Sequence, residues 1–123
     1  MYESGENYLE TILRLKERQG SVHSIDVARE LNYSKPSVSR AVKNLCQEGY
    51  ITMEDGGELE LTPLGKEKAE SIYERHKILT RFLETTIGVA HELAEADACK
   101  MEHIISDEVF EKIKQFVIRE SGK

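Results

Sequence analysis

Residues 24–45 carry the pattern that most restricts how this chain can fold. The consecutive stretches "SIDVARELNY" and "SKPSVSRAVKNLCQEGYI" each predict a helix, with Ser24 and Ser34 as N-caps, and only a few residues separate the two helices. Counted from Ser24, positions 4, 5, 8, 10, 15 and 18 are apolar or aromatic, namely Val27, Ala28, Leu31, Tyr33, Val38 and Ala41. This spacing is typical of a helix-turn-helix, in which a small residue such as Ala28 lets two helices cross closely. Asn32 occupies the turn, where it tolerates positive φ better than most residues. The alternative is a plain helical hairpin.

The residues that follow predict a β-hairpin. Two short extended runs, 50–53 and 58–61, flank the turn residues Asp55-Gly56-Gly57. A hairpin directly after the second helix of the motif is a wing. In a winged helix the N-terminal part of the recognition helix enters the major groove of DNA. We therefore expect DNA contacts from one group of residues, with Arg40 best suited to reading guanine: Ser34, Lys35, Pro36, Ser37, Ser39 and Arg40. The alternative for the hydroxyl groups is helix capping and solvation.

The charge distribution agrees with DNA binding, although the net charge of −6 argues against a nucleic-acid partner. Residues 24–53 contain four basic and three acidic residues, whereas residues 90–123 contain five basic and eight acidic residues. The excess negative charge is thus predicted to lie away from the reading surface.

The rest of the chain is predicted to be helical. Thr62 and Pro63 open a long helix that continues to about Thr86. Two more helices are predicted over 90–105 and 107–118, with Ser106 as N-cap of the last. Their apolar faces exceed what one winged domain needs to cover, which favours a homodimer. We predict a mainly α fold: a winged helix-turn-helix domain with a small β-hairpin wing in residues 1–73, then a helical dimerisation domain in residues 74–123.

One cluster in the C-terminal domain is suited to metal chemistry. On the helix predicted over 90–105, Cys99, Glu102 and His103 stand at i, i+3 and i+4 and share a face. Thiolate, carboxylate and imidazole suit a divalent transition metal and are poor ligands for Mg²⁺ or Ca²⁺. The alternative is a small buried Cys beside a solvated Glu and a His at the edge of the core. Further ligands from elsewhere in the chain would be needed, and the candidates are His76, Asn7, Glu10 and Glu95.

The sequence also indicates where the protein acts. No apolar run approaches the roughly 18 residues of a membrane span, and the N-terminus lacks a basic and then apolar signal. Cys46 and Cys99 are far apart in the sequence, which is typical of reduced thiols. We expect a cytoplasmic protein that has no membrane partner.

The order of these features resembles the diphtheria-toxin-repressor family of metal-dependent repressors, which has iron-responsive and manganese-responsive branches. The resemblance spans essentially all 123 residues. It is carried by "ENYLETILRL", "SKPSVSRAVKNL", "LTPLGKEKA", "ERHKILTRFL" and the cluster Cys99-x-x-Glu102-His103 with the following "SDEV".

The resemblance implies a ligand set. The iron-responsive branch has a thiol at the position of Cys99 and the manganese-responsive branch a carboxylate, so Fe(II) is expected over Mn(II). The first helix supplies a ligand at the position of Asn7, where the iron branch has Met and the manganese branch Asp. Glu10 matches a carboxylate of the manganese branch. A second site in the family uses the positions of His76 and Glu95, together with a carboxylate where this chain has Thr80.

The predicted function is therefore a dimeric repressor that binds palindromic operator DNA when loaded with Fe(II) or Mn(II). The metal would join ligands of the first helix to those of the dimerisation region, setting the recognition helices about 34 Å apart. The alternative is a metal-independent winged-helix regulator that responds to a small ligand or to thiol oxidation. An enzyme is not expected, because no general base or substrate cleft is indicated beside the cluster.

Overall fold

Six α-helices and one β-hairpin make up residues 3–121, the part of the chain that this computed structural model describes. Their contacts divide it into two units, with the boundary between Ser71 and Ile72 inside the fourth helix. The elements are α1 (Glu3–Gln19), α2 (Ser24–Leu31), α3 (Lys35–Gln47), β1 (Ile51–Met53), β2 (Leu59–Leu61), α4 (Pro63–Phe82), α5 (His91–Met101) and α6 (Asp107–Ser121). The mainly α fold with an N-terminal winged helix-turn-helix is confirmed.

The helix-turn-helix forms as its apolar spacing predicts. Val27 and Val38 are fully buried, and Ala28, the small residue predicted at the helix crossing, is 6% exposed. Asn32 ends α2 with φ of 57° and is the one non-glycine residue with positive φ among residues 3–121. Tyr33, counted among the apolar positions, is instead 42% exposed, and its ring meets Tyr8 edge-on at 5.9 Å.

The prediction of Ser34 as the N-cap of α3 is confirmed, whereas the prediction of Ser24 as the N-cap of α2 is wrong. Ser34 caps α3, because its Oγ accepts a hydrogen bond from the Ser37 amide at 3.3 Å. In α2 the N-cap is His23, whose amide donates to the Asp26 carboxylate at 2.8 Å, and Ser24 is the first helical residue. The acidic residue in the first turn thus satisfies the amide that begins the helix.

The wing is a two-stranded antiparallel hairpin. Ile51 pairs with Leu61 and Met53 with Leu59. A turn of 3₁₀ helix at Asp55–Gly57 joins the strands, with φ of 81° at Gly56 and 84° at Gly57. Buried Ile51 and Leu59 fix the hairpin against the unit, and the Leu59 amide donates to the Val22 carbonyl at 2.7 Å.

The C-terminal unit contains the rest of α4 and the two helices that follow. After Phe82 the chain continues through one π-helical turn, Leu83–Ile87. Ile72, Leu79, Ala94, Ala98, Phe110 and Val117 are its buried apolar residues. Ser106 caps α6 as predicted, accepting from the Val109 amide at 3.1 Å. No helix among residues 3–121 combines the length and the apolar composition that crossing a membrane requires.

The helix predicted over 90–105 is shorter than expected. It covers His91–Met101, and Glu102 is its C-cap residue. The prediction of one continuous helix through Ile105 is therefore wrong, and the turn in its place carries two of the candidate metal ligands.

Candidate metal centre

His76 projects from α4 into a buried position. It is 5% exposed although its neighbours Arg75 and Lys77 are charged. Its Nδ1 lies 3.0 Å from Oε2 of Glu102, and its ring stacks against Tyr73 with centroids 6.5 Å apart. One turn later, Thr80 Oγ1 donates to the His76 carbonyl at 2.8 Å. The structure thus places the His76 imidazole in the protein interior, against the carboxylate of Glu102.

Glu102 and His103 lie in the turn after α5. The side chain of Glu102 is 0% exposed and that of His103 is 1% exposed. Oε1 of Glu102 lies 3.2 Å from Nε2 of His103, while Oε2 faces His76. One buried carboxylate therefore has an imidazole nitrogen at each oxygen.

This arrangement is chemically suited to a divalent transition metal. Ligand atoms at about 2.1 Å from one ion and at right angles to each other are about 3.0 Å apart, which is close to both nitrogen–oxygen separations. Imidazole and carboxylate are borderline and hard donors that Fe(II), Mn(II) and Zn(II) accept. A buried carboxylate needs hydrogen bonds or a cation to offset its desolvation. The residues present fit such an ion.

Cys99 and Glu95 lie on α5. Cys99 is an exposed thiol, in the last turn of the helix. Oε1 of Glu95 lies 4.0 Å from Nε2 of His76, the ring nitrogen opposite the one that faces Glu102. Glu95 is thus on the other side of the His76 imidazole.

His91, at the start of α5, is a polar neighbour that sequence reasoning missed. Its Nε2 lies 3.1 Å from Oε2 of Glu95, and its Nδ1 pairs with Glu84. The Glu84 carboxylate, assisted by Glu95, raises the pKa of His91 above its usual value. The i,i+4 spacing of His91 and Glu95 was the available signal.

Asn7 and Glu10, the candidates from the first helix, belong to the N-terminal unit. They are one turn apart on α1. Asn7 is half-buried and Glu10 is 4% exposed. Nη1 of Arg14 lies 3.6 Å from the Glu10 carboxylate. Glu10 is therefore a buried carboxylate with a cation one turn further along its own helix.

The predicted DNA-reading residues all lie exposed at the start of α3. Ser34, Lys35, Pro36, Ser37, Ser39 and Arg40 are exposed, and Val38 between them is buried. Residues 35–47 include no Asp or Glu, so a phosphate meets no carboxylate along this helix. Lys43, one turn beyond Arg40, is also exposed and extends the basic face. Lys43 is three residues after Arg40 in a helix, and this spacing would have identified it as part of the same basic face.

Comparisons with known proteins agree with this geometry. Residues 1–58 match the model of the iron-dependent repressor N-terminal DNA-binding domain, and residues 62–119 match that of the iron-dependent repressor metal-binding and dimerisation domain. An uncharacterised helix-turn-helix transcriptional regulator of Methanocaldococcus jannaschii is 36% identical over 118 residues, covering 95% of this chain and 94% of that protein. The transcriptional regulator MntR of Escherichia coli O6:H1 is 33% identical, covering 96% of this chain and 76% of its own length.

A solved structure extends the comparison to three dimensions. The manganese regulator SloR superposes with a TM-score of 0.81 at 28% identity, over 92% of this chain. The chain spans about half of that solved chain, 53% of its length. Both halves of this sequence thus match the same kind of regulator, and the chain belongs to the diphtheria-toxin-repressor family of metal-dependent transcriptional repressors.

Proposed function

We propose that this protein represses transcription by binding palindromic operator DNA as a homodimer when it is loaded with a divalent transition metal. The observation that carries the proposal is the buried Glu102 carboxylate with the His76 and His103 imidazoles at its two oxygens. The exposed, acid-free start of α3 supplies the DNA-binding surface. The protein acts in the cytoplasm and is not an enzyme.

The proposed donor set extends beyond these three side chains. Cys99 of α5 adds a thiolate, and Asn7 and Glu10 of α1 add an amide and a carboxylate oxygen. Glu95 serves a neighbouring site or orients His76. A thiolate is a softer ligand than the carboxylate it replaces, which favours Fe(II) over Mn(II). The bound ion supplies positive charge and fixed coordination angles, and the chain supplies the orientation of the ligands.

Metal acts on DNA binding through a population shift. An ion that binds both α1 and the C-terminal unit favours the arrangements in which all its ligands meet. The recognition helices of a dimer are then held about 34 Å apart, as two half-sites one helical turn apart require. The protein has one arrangement in which the metal ligands meet and a looser one in which they do not. Metal can raise DNA affinity at most by the ratio of its affinities for these two arrangements.

The test is an anaerobic DNA-binding titration by fluorescence anisotropy, with Fe(II), Mn(II) or chelator. We expect metal to increase affinity for an operator, and Glu102→Gln or His103→Ala to remove the increase. Glu70→Gln, an exposed carboxylate on α4, is the control and keeps it. An affinity that is identical with metal and with chelator would contradict the proposal.

Thiol oxidation is the second candidate, because Cys99 is exposed and accessible to oxidants. In that case the same titration shows DNA release on oxidation without any response to metal, and Cys99→Ser abolishes the release. A metal response that persists in reduced protein excludes this candidate.

A further inference from the structure

Arg75 makes an unusual set of contacts with the turn that carries the metal ligands. Its side chain is only 15% exposed. Nη1 donates to the Glu102 carbonyl at 2.8 Å and to the Ile105 carbonyl at 3.4 Å, and Nη2 pairs with Asp107 at 2.8 Å. The guanidinium also lies over the ring of Phe110, 4.9 Å from its centroid.

These contacts lie just beyond the end of α5. The carbonyl of its C-cap residue, Glu102, has no partner within the helix, and only five residues separate Met101 from the start of α6. A guanidinium presents several donors in a fixed plane, so one side chain can hold two carbonyls and a carboxylate at once. Arg75 thereby fixes the path of residues 102–107.

Glu102 is consequently held at both ends by consecutive residues of α4. Arg75 holds its backbone carbonyl, and His76 faces its carboxylate. His103, the next residue, is carried by the same turn. The orientation of both candidate ligands thus depends on a contact that does not involve the carboxylate or the imidazoles themselves.

The charge of Arg75 is compatible with a nearby cation. A guanidinium beside a metal site repels the ion, but the Asp107 carboxylate at 2.8 Å offsets this charge. Its hydrogen bonds go to two backbone carbonyls and to the Asp107 carboxylate, and leave the ligand atoms of Glu102 and His103 to the site.

We propose that Arg75 is a positioning residue of the metal centre: it fixes the 102–107 turn so that Glu102 and His103 are oriented before the ion arrives. The inference rests on the proposed function. Groups that orient metal ligands contribute about 10- to 100-fold to metal affinity. Arg75→Ala should therefore weaken metal binding by that factor, and Arg75→Lys should restore only part of it, because an ammonium lacks the planar fork.

The experiment is a titration of the full chain with Co(II), in which binding is measured by the visible ligand-field absorption of the bound ion. Wild type, Arg75→Ala and Arg75→Lys are compared, with thermal unfolding of each variant recorded first. Lys114→Ala is the matched control, because the Lys114–Glu74 ion pair of 2.8 Å also joins α6 to α4 but touches neither ligand. We expect both Arg75 variants to bind Co(II) more weakly and with an altered spectrum, and the control to match wild type.

Three outcomes decide the matter. A folded Arg75→Ala protein with wild-type Co(II) affinity and spectrum would overturn the inference. An Arg75→Lys protein with wild-type Co(II) affinity and spectrum would also overturn the inference. If Arg75→Ala does not fold, the result for Arg75→Lys is the one that tests the inference. Wild type that binds no Co(II) would instead overturn the proposed function, and with it the role of Arg75.

Discussion

Gly65 lies where the first turn of α4 passes directly over the backbone of Tyr50. A Cβ atom at this position would be 1.9 Å from the Tyr50 carbonyl oxygen, a distance that no rotamer change can relieve. Thr62 ties the same two segments together, since its Oγ1 donates to the Gly49 carbonyl at 2.6 Å and accepts from the Gly65 amide at 3.1 Å. The "TPLG" sequence thus combines a cap with a close backbone approach.

Gly65→Ala should destabilise the N-terminal unit. We expect the free energy of unfolding to fall by about 1–3 kcal/mol, the usual range for overpacking, because the added methyl group would meet backbone atoms that no side-chain rotation can move. Chemical denaturation measures it, with Lys66→Ala as the control at an exposed neighbouring position. Equal unfolding midpoints for the two variants would show that the backbone at Tyr50 moves aside at no cost.

Arg40 is expected to provide sequence specificity at the DNA. An arginine that donates two hydrogen bonds to guanine contributes about 1–3 kcal/mol of discrimination. Arg40→Ala should therefore weaken operator binding and relax the preference at one base pair. If Lys43 contacts a phosphate, as its place beside Arg40 predicts, Lys43→Ala should weaken binding to all sequences alike and reduce the salt slope by about one. Binding measured on a set of operator variants at two salt concentrations separates the effects, and an unchanged base preference in Arg40→Ala would contradict the assignment.

Individual residues also limited what the sequence could predict. Asn32 was identifiable because the turn of a helix-turn-helix often requires positive φ, which Asn tolerates, and the structure has it at 57°. The burial of His76 was not identifiable, since Arg75 and Lys77 on either side suggest a solvated face. The side chain of Arg75 instead turns to the 102–107 backbone, which no local pattern encodes.

At the scale of elements, the helix-turn-helix and wing could be predicted because their signals are local. Caps, apolar spacing and Gly-rich turns all lie within a few residues of the element they define. The end of α5 could not be predicted, because the sequence of residues 102–105 continues a helical pattern. Its termination at Met101 coincides with hydrogen bonds from Arg75, 27 residues earlier in the chain.

The link between α1 and α2 should depend on acidic pH. Arg18 donates to both carboxylate oxygens of Glu30, at 3.3 and 3.0 Å, and this hydrogen bonding lowers the pKa of Glu30 below its usual value. A lowered folded-state pKa gives stability that is present above the unfolded-state pKa of 4.5 and is lost as the pH falls through the folded value. The effect is small because the pair is exposed. Thermal unfolding of Glu30→Gln and wild type should therefore differ at pH 6, and the difference should shrink as the pH falls below 4.5. If the difference in unfolding temperature between the two proteins did not change with pH, the substitution would act through packing and not through the charge of Glu30.

The wing has an acidic tip, which is unusual for an element expected beside DNA. Glu54 and Asp55 are exposed, and residues 51–61 include no Lys or Arg. Lys16 of α1 pairs with two other acidic residues of the hairpin, Glu58 at 3.1 Å and Glu60 at 2.6 Å. The tip therefore opposes the approach of phosphate.

Reversing this charge should strengthen DNA binding. Glu54→Lys replaces repulsion by attraction, so we expect higher affinity and a steeper dependence on salt. Glu67→Lys, an exposed position on α4, changes the net charge equally and is the control. If both variants gain affinity alike, the effect arises from total charge, and the wing lies away from the phosphates.

At the scale of the whole molecule, the C-terminal unit exposes more apolar surface than its own core requires. Ile87, Leu93, Ile104, Val109 and Ile118 are each between 48% and 75% exposed. We propose that a second copy of the chain covers this surface, because residues 62–119 match the iron-dependent repressor metal-binding and dimerisation domain. Dimerisation then places two recognition helices on one DNA molecule.

The dimer should be sensitive to charge at these positions. Burying one Leu or Ile side chain contributes about 1.5–3 kcal/mol, so Leu93→Glu or Ile118→Glu should raise the dimer dissociation constant by about tenfold or more. Sedimentation equilibrium measures that constant, with Gln19→Glu as the control, because this exposed position on α1 in the N-terminal unit adds the same charge away from these residues. A monomer binds one half-site and loses the gain of simultaneous contact with the other, so weaker dimerisation must also lower operator affinity in the presence of metal. If both variants remain dimers at wild-type affinity, the exposed apolar residues serve another partner and the two recognition helices are paired through a different surface.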